Sequence, residues 1–214
     1  MKKLLIVISL FLLTSVAQAG VNVGISGMRM AIDVEGSETL KSNGLYSTKN
    51  HAETAEAAEA FIELSGDSGM FFGVAIIPGE AELGSSSSTR TDKLTSGSST
   101  VTQKAAAEFS DHTTFYIGFP IGDGGMYAKI GGGTVDVTTQ ESLGTGSSYG
   151  DQTVNFGLAG LGYEMDLGAM FARIEGTYSN YEEVELKSTG SDVSSTIRGD
   201  IDALTGRISL GMAF

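Results

Sequence analysis

The chain has no cysteine, no tryptophan and only two prolines among its 214 residues. Without cysteine there is no disulfide, no thiolate metal site and no Cys nucleophile. Basic residues are also scarce, with 13 Lys and Arg against 26 Asp and Glu. That balance argues against a nucleic-acid partner, which needs a basic surface. Past the first nineteen residues no apolar run reaches the ~20 residues of a spanning helix. No Gly-x-x-x-x-Gly-Lys-Ser/Thr phosphate loop occurs either. The acidic segments lack EF-hand spacing, so any Ca²⁺ binding would be diffuse.

What is present begins with a targeting segment. Lys2 and Lys3 precede the apolar run Leu4–Leu13, and Ala17-Gln18-Ala19 forms a small-residue cleavage site before Gly20. Residues 1–19 are therefore expected to be removed on export, and no cysteine follows the site to take a lipid anchor. The remaining 20–214 reads as one domain. Without Lys2 and Lys3 its balance is 11 basic against 26 acidic residues, a formal charge of −15.

The end of the chain sets the pattern for the rest. In Leu204–Phe214, Leu204, Ile208, Leu210, Met212 and Phe214 share one face, and Thr205, Arg207, Ser209 and Gly211 share the other. This period of two belongs to a strand with one oily face. Similar alternation recurs seven times upstream. Ala60, Ile62 and Leu64 oppose Glu59, Phe61 and Glu63; Met70, Phe72, Val74 and Ile76 share a face; so do Phe115, Ile117, Phe119 and Ile121. Ala128 and Ile130 oppose Lys129, and Met170, Ala172, Ile174 and Tyr178 oppose Arg173, Glu175 and Thr177. Val154, Phe156 and Leu158 oppose Asn155, Gly157 and Ala159, with the phase blurring at Leu161.

Two stretches break phase. In Gly20–Glu35, Val21, Val23 and Ile25 precede Met28, Met30, Ile32 and Val34 on the alternate set. A bulge near Gly27 would return both sets to the lipid face and turn Arg29 and Asp33 inward. Val135 and Val137 are likewise out of step with Ile130, and Gly131-Gly132-Gly133 is the expected bend or bulge. Short turns at Gly66–Gly69, Gly122–Gly125 and Asp166–Gly168 alternate with polar stretches read as long loops, 36–56, 84–111, 140–152 and 185–199. Eight strands, with short and long connections in alternation, predict an all-β, eight-stranded antiparallel up-and-down transmembrane β-barrel.

In architecture the chain resembles the small eight-stranded outer-membrane barrels of the OmpA-type and opacity-protein class. That resemblance implies an integral protein of a Gram-negative outer membrane, non-enzymatic and without a cofactor. Its role would be structural or in surface contact, with lipid around the barrel and long loops open to an extracellular partner. Ile208, Leu210, Met212 and Phe214 resemble the C-terminal signal read by the barrel-assembly machinery. The chain departs from the class in having no Trp, so Tyr and Phe must supply the interfacial girdle. The cell-wall tether of full OmpA-type proteins is not implied.

The candidate site is the set of charges expected inside: Arg29, Glu59, Glu63, Lys129, Arg173, Glu175 and Arg207. An eight-stranded lumen is just wide enough for side chains, and unpaired buried charges are costly. These residues are therefore expected to pair and plug the lumen. The alternatives are a narrow channel for ions or small solutes, or an exported soluble ligand-binding calyx with the oily face inside. His51 and His112 fall at outer strand ends. Ser110 and Asp111 beside His112 suggest a hydrolase, but a triad needs geometry rather than adjacency, so both histidines are read as exposed.

Overall fold

The computed structural model describes residues 20–40, 46–94, 97–143, 148–189 and 195–214. The proposed targeting segment 1–19 lies outside them. There are ten strands: β1 (Gly20–Leu40), β2 (Tyr46–Ser65), β3 (Phe71–Ile77), β4 (Ala81–Leu94), β5 (Gly97–Pro120), β6 (Met126–Leu143), β7 (Gln152–Asp166), β8 (Met170–Tyr181), β9 (Val184–Lys187) and β10 (Ser195–Ala213). Eight of them, β1-β2-β3-β5-β6-β7-β8-β10, form an antiparallel sheet that β10 closes against β1. The closing ladder runs from Asn22↔Ala213 to Leu40↔Ser195. Past it, Phe214 N–H donates to Val21 O at 2.8 Å and Val21 N–H donates to Phe214 O at 3.1 Å. The remaining two strands extend the wall: β4 pairs β5, and β9 pairs β10.

The short turns hold as expected. Gly69 and Gly168 adopt φ of 75° and 86°, a region that glycine enters without steric cost. The long connections differ from the loops expected in the sequence. Much of 36–56 and 84–111 is strand: β1 and β2 run on as a hairpin, as do β4 and β5. Parts of 140–152 and 185–199 are strand too, in β6, β9 and β10. Ser, Thr and Gly obscure the alternation there, but ladder hydrogen bonds do not depend on an oily face.

The expected bulge in β1 is absent. The β1–β10 register is continuous through Gly27↔Ile208, Met28↔Arg207 and Arg29↔Gly206. Met28, Met30 and Ile32 therefore face inward and are buried, while Arg29 and Asp33 face outward and are exposed. The β6–β7 register is likewise continuous across Gly131–Gly133, and Val135 and Val137 face inward with Lys129. The bulge lies opposite, in β5 between Ser110 and Thr113, where Asp111 takes φ 48°. β1 and β6 each keep one pleat along their length, and what changes is the environment on each side of it.

That change divides the barrel into two zones. Near the short turns the outer face is apolar: Ile25, Ile62, Phe115, Ile130, Leu161, Ile174 and Ile208 are all exposed. Four to five outward positions per strand precede the first polar ones, or about 20–26 Å of height at the usual rise and tilt. Beyond it the outer face carries Arg29, Glu56, Asp136, Asn155, Asn180 and Asp202, all on the strands. There the interior becomes apolar, with Met28, Ile32, Val135, Val154, Phe156, Leu158, Tyr181 and Ile201 in one buried cluster. An outward band of this kind overturns the calyx reading, because Phe115 and Ile130 do not enclose an interior.

At the turn end the interior is aromatic. Phe61, Phe71, Tyr116, Tyr127 and Phe171 form a second cluster. Each ring lies over an inward glycine directly opposite on the neighbouring strand: Gly24, Gly118, Gly73, Gly162 and Gly211 in turn. A methyl group at any of these glycines would overlap the ring.

Candidate functional site

Between the aromatic and apolar clusters lies a layer of buried charge. β2 supplies Glu59 and Glu63, β6 Lys129, β8 Arg173 and Glu175, and β10 Arg207. Each sits on the inward parity of its strand, so alternation alone carries all six into the lumen.

Two connected groups result. In the first, Lys129 Nζ donates to Glu175 Oε1 at 3.0 Å and Arg207 Nη1 to Glu175 Oε2 at 3.3 Å. Arg207 also reaches Glu59, with Nε 3.1 Å from Oε1 and Nη2 3.3 Å from Oε2. Ser26 Oγ donates to Glu59 at 3.4 Å and lies 2.9 Å from Ser209 Oγ. In the second, Arg173 Nη1 donates to Glu63 Oε1 at 2.5 Å, and its Nε donates to the half-exposed Glu164 at 2.6 Å. Tyr116 Oη donates to Glu63 at 2.8 Å and Asn22 Nδ2 does so at 3.5 Å. The buried formal charges cancel, three carboxylates against three cations.

Aromatic faces carry part of the load. Arg173 lies 4.5 Å from the Phe71 ring centre and 4.4 Å from that of Phe171, and Lys129 Nζ sits 3.8 Å above Tyr116. Cation–π contacts of this kind are worth up to ~2 kcal/mol where water is excluded. A vestibule of about 500 Å³ opens between the short turns, and Phe71, Tyr127, Phe171 and Arg173 are among the residues lining it.

Of the seven charges expected inside, the structure brings six together. Arg29 is the correction: it stands outside, because β1 carries no bulge to reverse it. The sequence reading missed Tyr116, Ser26, Ser209 and Glu164 as partners. Tyr116 and Ser209 share parity with residues already placed inside, and that was the available signal. Of the proposed insertion signal, Ile208, Leu210 and Met212 face outward and Phe214 follows directly on β10, 74% exposed.

The two histidines have separate environments. His51 Nε2 lies 3.0 Å from Glu53 Oε2 on the surface. His112, expected to be exposed, instead turns inward and stacks on Phe156, with centroids 4.7 Å apart. No cluster of three His, Asp or Glu suited to a metal occurs among the described residues.

The sequence matches no family model, and comparison with curated proteins finds no relative. Solved structures do match. The outer membrane protein OprG of Pseudomonas aeruginosa superposes with a TM-score of 0.55 at 12% identity, over 92% of this chain and 96% of that one. Neisserial surface protein A follows at 0.39 and 9% identity, covering 88% and 97%. Ail of Yersinia pestis follows at 0.38 and 13%, covering 89% and 99%. The likeness to OprG establishes the fold: a closed eight-stranded barrel of the outer-membrane type.

Proposed function

We propose that this chain is a non-enzymatic, integral outer-membrane barrel whose lumen is closed by its own charges and whose outer β-structure serves surface contact. Residues 1–19 direct export, and the strand ending in Phe214 is read by the barrel-assembly machinery. The supporting observation is the neutral layer of three carboxylates and three cations, set between an aromatic cluster and an apolar one. Such a layer orders a narrow lumen, and a partner for the protein would meet it on the hairpins beyond the lipid.

Planar-bilayer recording tests this. The refolded protein, verified by a mobility shift between unboiled and boiled gel samples, is expected to show no steady ion current. Steady conductance altered by Lys129→Ala or Arg207→Ala would overturn the plug and establish the channel. Soluble protein without a gel shift would overturn the membrane assignment itself.

A further inference from the structure

Arg29 belongs to no part of the lumen and needs a separate account. On the outward face of β1 the order is Ile25, Gly27, Arg29, so Arg29 stands one outward step, about 7 Å, beyond Gly27. It lies at the boundary where the apolar band ends. At this level β5 and β6 first present Thr113 and Thr134, and acids or amides stand on the outward face at Glu56, Asp136, Asn155, Asn180 and Asp202. Arg29 is the cation of this ring among the described residues. Glu56 is its cross-strand neighbour, yet no ion pair joins Arg29 to an acid among the described residues.

Directly below Arg29 the apolar band is indented. Gly27, Ala58 and Ala60 make a shallow floor, and Ile25, Ile208 and Leu210 stand around it. Pro78 bounds the far side, because the β2–β3 ladder stops at Ala60↔Ile76 and the chain turns away through Pro78. The groove has a volume of about 330 Å³, enough for part of one acyl chain and too small for a whole lipid. A Cβ at Gly27 would meet nothing within 4 Å, so this position is open outward.

An apolar groove lined by Gly27, with the unpaired Arg29 one outward step beyond that glycine, matches an anionic lipid in both chemistry and order. Guanidinium binds phosphate oxygens in a planar, two-pronged manner. Asp33 and Glu35 lie further out on the same face, which disfavours an anion beyond Arg29. We propose that this groove seats one acyl chain of an outer-leaflet lipid while Arg29 binds the phosphate of that same lipid. This goes beyond the structural role proposed above, since it makes one sector of the wall selective for headgroup charge.

The probe is phosphatidic acid, a simple phosphomonoester lipid, set against phosphatidylcholine with identical chains. Refolded protein in neutral detergent is mixed with each, and retained lipids are counted by native mass spectrometry. Wild type should hold phosphatidic acid about fivefold better, the factor that one arginine near a lipid surface contributes. Arg29→Gln should erase that preference while still retaining lipid. Gly27→Leu, which fills the groove, should reduce retention of both lipids, and Ala58→Leu serves as a second filler if the first does not fold. Each variant is first checked for the gel shift. Equal retention by wild type, a preference surviving Arg29→Gln, or undiminished retention in both folded fillers would each overturn the assignment.

Discussion

Glu63 offers the sharpest test of the buried charge layer. The residue is 1% exposed, and its carboxylate accepts from Arg173, Tyr116 and Asn22. Glu63→Leu removes the carboxylate and leaves the buried Arg173 with the half-exposed Glu164 as its only acid. Removing one member of a buried pair costs about 3–5 kcal/mol, a large share of the 5–15 kcal/mol that holds a typical domain together. Arg173→Met should cost less, because Tyr116 and Asn22 still donate to the carboxylate it leaves behind. The double variant removes both charges and should lie within about 1–2 kcal/mol of wild type, since apolar replacement of a whole pair is often nearly neutral. The assay is urea unfolding of protein refolded into lipid vesicles, with the folded fraction read from the unboiled gel band. A loss of 3 kcal/mol shifts the midpoint by about 1–3 M urea at ordinary m-values. The reasoning is refuted if Glu63→Leu lies within ~0.5 kcal/mol of wild type, or if the double variant is no more stable than the weaker single one.

Three further expectations follow from other parts of the barrel. Gly118→Ala should cost about 1–3 kcal/mol by forcing a methyl into the Phe71 ring, and the same change in a Phe71→Ala background should cost far less; equal costs in the same urea assay would contradict the ring-over-glycine account. Removing Phe214 should slow assembly into vesicles supplied with the insertion machinery while leaving the final gel shift intact; unchanged assembly rates would remove its role as a signal. Lys187 and then Arg198 hydrogen-bond the Glu185 carboxylate and hold its pKa below the ordinary value. Their support is therefore present at neutral pH and lost as pH falls through that lowered pKa. Hydrogen exchange at Val184–Lys187, corrected for intrinsic rates, should show protection at pH 7 that declines in acid; constant protection would count against it. The effect is small because the group is exposed.

The eight strands of the closed barrel, the outward band and six of the seven lumen charges could be read from alternation. The errors have a common cause. Oiliness alone sends Met28, Met30 and Ile32 to lipid and gives Val135 and Val137 a phase switch. Alternation reports which residues share a face but not what that face touches. Beyond the lipid the solvent outside is water, so the oily set belongs inside without any change of register. Arg29 followed Met28 into error, since one bulge would have reversed both. The outer hairpins were missed because the Ser/Thr-rich runs at 85–89 and 98–102 hide their pairing, which rests on backbone hydrogen bonds that composition does not show. The ion pairs depended on register, which the ladders supply and the sequence does not.

The pleat that β1, β2, β6, β7, β8 and β10 keep across the reversal of polarity also fixes how deep the barrel sits. A shift of one outward position along the membrane normal would draw Arg29, Glu56, Asp136 and Asp202 toward hydrocarbon together. A shift the other way would bring Ile25, Ile208 and their neighbours into water together. Charged groups on a lipid-facing strand cost up to ~2–4 kcal/mol each at the bilayer centre and little at its edge, so the penalty climbs steeply around the whole circumference at once. The protein thus carries its own waterline, and a bilayer thicker than the band must thin locally to meet it.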